Sequence, residues 1–252
     1  MAEPFHVVIP ARYQSTRLPG KPLADIRGRP MIVRVAERAS RAGAARVIVA
    51  TDDERVCRAV TDAGYTAMMT RDDHSTGSDR VMEVAATCGW PEDAIVINVQ
   101  GDEPLIPPAV IRQVAECLSA NPELPAATLC EPLSDQKSAL NPNVVKVVRE
   151  HNGLALYFSR SPIPHDRDGA SGSEAGIWLR HVGIYAYRLA TLRSIVAFGP
   201  GKLELLEKLE QLRLLENGIR LHVAQACEPV PGGVDTPADL ERVRVHVQRA
   251  DG

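Results

Sequence analysis

The stretch Ala94-Ile-Val-Ile-Asn-Val-Gln-Gly-Asp-Glu-Pro104 decides the fold. Its first six residues are apolar except Asn98, which suits a central strand buried on both faces. The Gly101-Asp102 pair then makes a tight turn. Upstream, Phe5-His-Val-Val-Ile9 and Arg46-Val-Ile-Val-Ala50 read as strands, with Ala67-Met-Met69 a weaker one. Between them apolar residues recur at helical spacing: Met31, Ile32, Val35 and Ala39, then Val56, Ala59, Val60 and Ala63. A third helix is expected over 78–88, and Val110, Ile111, Val114 and Leu118 mark a fourth. Four strand–helix alternations imply an α/β domain, a mostly parallel sheet covered by helices. Such sheets bind ligands outside the carboxyl ends of their strands. The loops after Ile9, Ala50, Met69 and Val99 are therefore the candidate site.

The second half is less regular. Strands are expected over 144–149, 154–159, 180–188 and 221–224. Residues 161–176, rich in Pro, Gly, Ser and charge, read as an excursion from the body. Leu205, Leu206, Leu209, Leu212 and Leu215 form one helical stripe. A final helix starts at Thr236, with Thr as N-cap, Pro237 in the first turn and Asp239 in the capping-box position. There is no internal repeat and no sharp boundary, so residues 1–252 form one domain with a β-rich lobe at about 130–190.

Composition excludes several classes. The 252 residues carry 29 basic and 32 acidic side chains, a net charge of −3, which argues against general nucleic-acid binding. No apolar run approaches the ~20 residues of a membrane helix, and the N-terminus does not read as a signal peptide. Five separated cysteines without a CxxC pair read as reduced thiols, and the expected location is cytoplasmic. Of the basic residues, 24 are Arg and 5 are Lys, either a genomic bias or a stock of phosphate and carboxylate ligands.

The loop Pro10-Ala-Arg-Tyr-Gln-Ser-Thr-Arg-Leu-Pro-Gly-Lys-Pro22 follows the first strand. It holds Arg12, Arg17 and Lys21, and residues 4–24 contain no acid. Converging cations, hydroxyls and backbone N–H groups suit a polyphosphate. The loop is no Walker motif, because Ser15 and Pro22 stand where that pattern needs Gly and Ser or Thr. No GxGxxG follows a strand either. Asp102, at the end of the central strand, has room beside Gly101 for a magnesium ion and its phosphate ligands. Asp235, in Gly232-Gly-Val-Asp-Thr-Pro237, either caps the last helix or supplies a second carboxylate. His74-Ser-Thr-Gly-Ser-Asp-Arg80 either opens a helix or approaches a base, with Arg80 anchoring a sugar or an anion. His181 on its strand is by residue type more often structural than catalytic.

In series these segments resemble the CMP-Kdo synthetases, the 3-deoxy-manno-octulosonate cytidylyltransferases. VVIPARYQSTRLPGKPL, NVQGDEPLI, NPNVVKVV, LYFSR, RHVGIYAYR, LEQLR and GVDTPADLERV occur in that family's order, covering about residues 7–245. The resemblance implies a Rossmann-like nucleotidyltransferase sheet with helices on both faces, a smaller β-rich dimerisation lobe, a homodimer and Mg2+. It implies a reaction in which CTP and the sugar acid Kdo give CMP-Kdo and pyrophosphate, for lipopolysaccharide. Arg12, Arg17 and Lys21 match its triphosphate positions, with Lys21, Asp102 and Asp235 the catalytic set. Thr76, Gly77, Ser78 and Arg80 match its nucleotide-reading loop, and Asp102 and Asp235 its magnesium carboxylates. Gln100, Arg160, His181, Tyr185, Glu210 and Gln211 match its sugar-acid pocket. The chain departs from the pattern at Thr76-Gly77-Ser78, where the family has Ser-Gly-Thr, and at His165, where it often has an aromatic residue. Those departures keep two alternatives in view: a cytidylyltransferase for another acidic acceptor, such as another sugar acid or a phosphonate, and a non-catalytic nucleotide sensor.

Overall fold

The computed structural model describes residues 3–15, 18–167 and 177–250. The strands are β1 (Phe5–Ala11), β2 (Asp25–Ile26), β3 (Arg29–Pro30), β4 (Arg46–Thr51), β5 (Thr66–Met69) and β6 (Ile95–Asn98), then β7 (Ala126–Pro132), β8 (Lys146–Arg149), β9 (Ala155–Ser159), β10 (Leu179–Arg188) and β11 (Leu221–Gln225). The helices are α1 (Met31–Ser40), α2 (Glu54–Asp62), α3 (Gly77–Thr87), α4 (Pro108–Ser119), α5 (Gln136–Leu140), α6 (Leu189–Phe198), α7 (Lys202–Glu207), α8 (Leu212–Glu216) and α9 (Pro237–Ala250).

The main sheet runs β11-β7-β10-β6-β1-β4-β5, with β8 and β9 attached at its side. The pairs β1·β4, β1·β6, β4·β5 and β11·β7 are parallel. β10 is antiparallel to both β6 and β7. The fold is therefore α/β with a mostly parallel sheet. One face packs on α1, α2 and α4 through Ile32, Val35, Val60 and Val114. The other packs on α3, α6 and α8 through Val81, Val84, Leu192 and Leu212.

A third cluster positions the site. Leu240, Val243 and Val247 of α9 pack with Val234 against Ile26, Met31 and Leu105. A buried side chain of this size contributes roughly 1.5–3 kcal/mol. Together they hold the loop carrying Asp235 against the loop that follows β6.

Three expectations change. β7, with Ala126, Ala127 and Thr128 along it, lacks the long β-branched run that marks a strand, yet Ala126–Cys130 are fully buried between β10 and β11. β7 and most of β10 thus belong to the main sheet, and the β-rich excursion narrows to β8 and β9 against the start of β10. Nor is the leucine stripe one helix. Lys208 takes a left-handed conformation (φ 54°) between α7 and α8, leaving Leu205 and Leu206 exposed. Arg160 Nε donates to the Glu207 carbonyl at 2.7 Å, satisfying a group that the helix abandons there. Arg17 and residues 168–176 lie outside the described residues.

Candidate active site

The loops after β1 and β6 meet above the carboxyl edge of the sheet. Gly101 makes this possible: a Cβ there would stand 2.7 Å from the Pro10 carbonyl oxygen. Lys21, at the end of the basic loop, projects between two carboxylates. Its Nζ donates to Asp102 Oδ2 at 2.5 Å and to Asp235 Oδ1 at 3.0 Å. Burial works against the ammonium's charge, but Asp102 and Asp235 outweigh it and raise the pKa above its usual value. Asp235 is not the helix cap. Thr236 takes that role: its Oγ1 accepts from Asp239 N–H at 3.2 Å, and Asp239 Oδ2 accepts from Thr236 N–H at 2.9 Å. Asp235 instead accepts from Lys21. Val234 N–H donates to the Asp102 carbonyl at 2.9 Å, fastening the two acidic loops together.

A cavity of about 390 Å³ opens over this cluster, bordered by Arg12, Lys21, Gly77, Gln100, Asp102 and Asp235. A second, of about 710 Å³, is bordered by Asn143, Arg160, Lys208 and Asp235. Asp235 borders both. The donor set suits magnesium: two hard carboxylate oxygens, with phosphate and water to complete the shell. Among the described residues no group of three or more His, Cys, Asp or Glu gathers as a metal cage, so a metal here would depend on its substrate for ligands.

The rest of the expected pocket lies deeper, on the α3 face. His181 is buried, and its ring meets Phe158 edge-on at 4.9 Å. The Thr128 hydroxyl donates to the Ile184 carbonyl at 2.7 Å and accepts from His181 Nε2–H at 3.0 Å. Burial, with Arg180 adjacent, pushes the imidazole pKa down to about 3, so it is neutral at physiological pH. Burial raises the carboxyl of Glu210 and the phenol of Tyr185. Glu210 faces Ser78 and Thr76, at the start of α3. Thr76 caps that helix in a capping box with Asp79, and Gly77 lines the first cavity. Gln211 is buried at the start of α8.

The cytidylyltransferase family model matches residues 6–221. The chain belongs to the cytidylyltransferase family. The 3-deoxy-manno-octulosonate cytidylyltransferase of Alcanivorax borkumensis is 54% identical over 247 residues, covering 96% of this chain and 98% of that one. That of Pseudomonas syringae pv. syringae is 55% identical over 249 residues, covering 97% and 98%. The structure of a CMP:2-keto-3-deoxy-manno-octonic acid synthetase complexed with CTP superposes with a TM-score of 0.90 at 46% identity, covering 98% of this chain and all of that one. A nucleotidyl transferase from Methanothermobacter, at 17% identity and TM-score 0.62, shares the fold.

Two arginines of this cytidylyltransferase sit differently from the sequence expectation. Arg80 is fully buried, with Nη1 bonded to Thr70 Oγ1 and Nη2 donating to Asp52 Oδ2 at 2.8 Å. It has no exposed surface to offer a sugar or an anion. Arg160 spends its fork on backbone carbonyls: Glu207 at 2.7 Å, Pro142 at 3.0 Å and Lys208 at 3.4 Å. It shapes the wall of the second cavity. Its own carbonyl accepts from the buried Lys146 Nζ at 2.5 Å.

Sequence reasoning missed Lys146, Asp52 and Asn98. Asn98 pairs across the sheet with Tyr185, and its Oδ1 is buried without a hydrogen-bond partner, as is Glu210 Oε1. Unpaired buried acceptors on this face suit a ligand that brings hydroxyl donors. An Asn interrupting the apolar run at Ile95–Asn98 was the available signal for this one.

Proposed function

We propose that this protein couples CTP to 3-deoxy-D-manno-octulosonate, giving CMP-Kdo and pyrophosphate for lipopolysaccharide assembly. The observation that carries this reading is Lys21, Asp102 and Asp235 converging where two cavities meet. The cavity at the basic loop receives the triphosphate, and the other receives the sugar acid. The proteins named 3-deoxy-manno-octulosonate cytidylyltransferase, at 54–55% identity over nearly the whole chain, support this substrate pair.

The acceptor's anomeric hydroxyl attacks the α-phosphorus in line, a new P–O bond forms as the hydroxyl proton passes to solvent, and pyrophosphate leaves with its bonding electron pair. Lys21 and Arg12 stand beside the phosphate cavity to offset charge on the leaving group, and Arg17 is assigned the same role from the sequence. Asp102 and Asp235 would hold Mg2+, which when bound supplies Lewis-acid polarisation of the phosphate and the attacking hydroxyl. Arg160 walls the acceptor cavity. His181, Tyr185, Glu210 and Gln211 are assigned to the acceptor from the sequence and lie deeper, on the α3 face, while Gln100, assigned with them, borders the triphosphate cavity. Thr76, Gly77 and Ser78 present the start of α3 to the nucleotide.

The reading includes a homodimer formed through the β8–β9 lobe, where Leu156 of β9, and Leu140 at the end of α5 just before the lobe, are more than half exposed. It places the enzyme in the cytoplasm, consistent with five free cysteines. None of the described helices is long and apolar enough to cross a membrane. The test is pyrophosphate release with CTP, UTP or ATP crossed against Kdo, other sugar acids and phosphonates. Release confined to CTP with Kdo is expected; turnover only with another acceptor, or none at all, overturns the assignment.

A further inference from the structure

Residues 12–15 leave the sheet without regular structure, and they must hold Arg12 in place over the phosphate cavity. What holds them is the segment after β4, the neighbouring strand. β1 and β4 end together, Ala11 opposite Thr51. Immediately beyond, Asp52 uses its two oxygens in two directions: Oδ1 accepts from the Tyr13 backbone N–H at 3.4 Å, and Oδ2 accepts from Arg80 Nη2 at 2.8 Å. The Tyr13 ring is covered by the Arg55 guanidinium, 3.6 Å from its centroid. Arg55 is in turn held by Asp53, at 3.0 Å to Oδ1 and 2.6 Å to Oδ2. Arg12 is tied at its far end, Nη2 donating to the His74 carbonyl at 2.5 Å.

We propose that Asp52 is a positioning residue for nucleotide binding, holding the phosphate loop at Tyr13 while anchored from below by the buried Arg80. A wholly buried guanidinium carries a large desolvation cost, and an apolar side chain would join α3 to the sheet as well. The ion pair does something an apolar contact cannot. It orients a carboxylate whose second oxygen is left to accept from the loop. Arg80 thus acts on the nucleotide through Asp52, without touching it. The Arg55–Tyr13 contact adds a lateral hold at an exposed site.

The proposal rests on the reading of residues 10–22 as the triphosphate grip, so its test measures CTP binding directly. Calorimetric titration of the full chain with CTP, without acceptor, is run on wild type, D52A, D52N and R55A, with melting temperatures alongside. D52A is expected to weaken CTP binding about tenfold, the size of one charge-assisted hydrogen bond. D52N keeps an acceptor for Tyr13 N–H but loses the charge facing Arg80, and is expected to fall between D52A and wild type. R55A is expected to weaken binding about threefold without change in melting temperature. In turnover assays the KM for CTP rises while the KM for the acceptor stays within twofold. A simple staple between α3 and β4 would instead lower the melting temperature and leave CTP affinity unchanged, or shift both KM values together, and either result overturns the proposal. If D52A does not fold, D52N decides: weaker CTP binding supports the clamp, and wild-type affinity sinks it. Wild-type protein that binds CTP but transfers its cytidylyl group to no acceptor would remove the functional reading and leave this test intact.

Discussion

Lys21 and Asp235 lie 214 positions apart and meet at 3.0 Å. Asp102, 81 positions from Lys21, completes the contact at 2.5 Å. One cation thus spans two acidic loops from different parts of the chain.

Removing that cation is expected to damage chemistry more than binding. Lys21→Ala should lower kcat by about 10²-fold or more, with a smaller rise in the KM for CTP. Steady-state pyrophosphate release measures both. An unchanged kcat would take Lys21 out of transition-state stabilisation.

The paired carboxylates are expected to depend on a divalent cation together. Chelation should abolish turnover, and added Mg2+ should restore it. Asp102→Asn should cut turnover by about 10²-fold or more at any Mg2+ concentration while the circular dichroism spectrum stays that of wild type. Near-normal activity of this variant in saturating Mg2+ would refute the metal assignment.

Gly101→Ala tests the packing of the two loops. The new Cβ would stand 2.7 Å from the Pro10 carbonyl, so the basic loop must shift. A destabilisation of about 1–3 kcal/mol is expected, together with a raised KM for CTP. Urea unfolding and kinetics read the two effects separately, and an unaffected KM would show that the loop's position does not matter.

His181 makes stability depend on pH in a defined window. Its folded pKa is depressed to about 3 by burial and by Arg180, against an ordinary value of 6.5. The unfolded chain therefore binds a proton that the native state refuses between these values. This contribution is intact above pH 6.5 and is lost as pH falls towards 3. The urea midpoint should drop more steeply between pH 7 and pH 5 in wild type than in His181→Gln, which keeps a donor for Thr128. Equal slopes would show that His181 is not buried neutral.

Arg160→Lys should loosen the wall of the second cavity. A lysine cannot reach the carbonyls of Glu207, Pro142 and Lys208 at once, as the guanidinium does. The KM for the acceptor is expected to rise about tenfold with little change in the KM for CTP. The opposite pattern would assign Arg160 to the nucleotide.

Periodicity made the first half legible. The helix at Met31–Ser40 and the strand at Ile95–Asn98 bury one side or both sides of a regular element, and local spacing records that directly. β7 escaped because Ala126 and Ala127 are small, and only the neighbours on either side make that segment a strand. The leucine stripe misled because spacing is blind to a backbone turning left-handed at Lys208.

The sequence by itself determined the alternation of strands and helices, and with it the sheet edge at which the basic loop and Asp102 would lie. It also supplied the Thr236–Asp239 capping box, since caps depend on residues three apart. Only the tertiary structure decided that Asp235 leaves that cap for Lys21, that Arg80 sinks beneath the site to hold Asp52, and that Arg160 is engaged by backbone. Each of these is a choice among partners far apart in the chain. Folding settles such choices by burial and charge pairing, which local spacing does not encode.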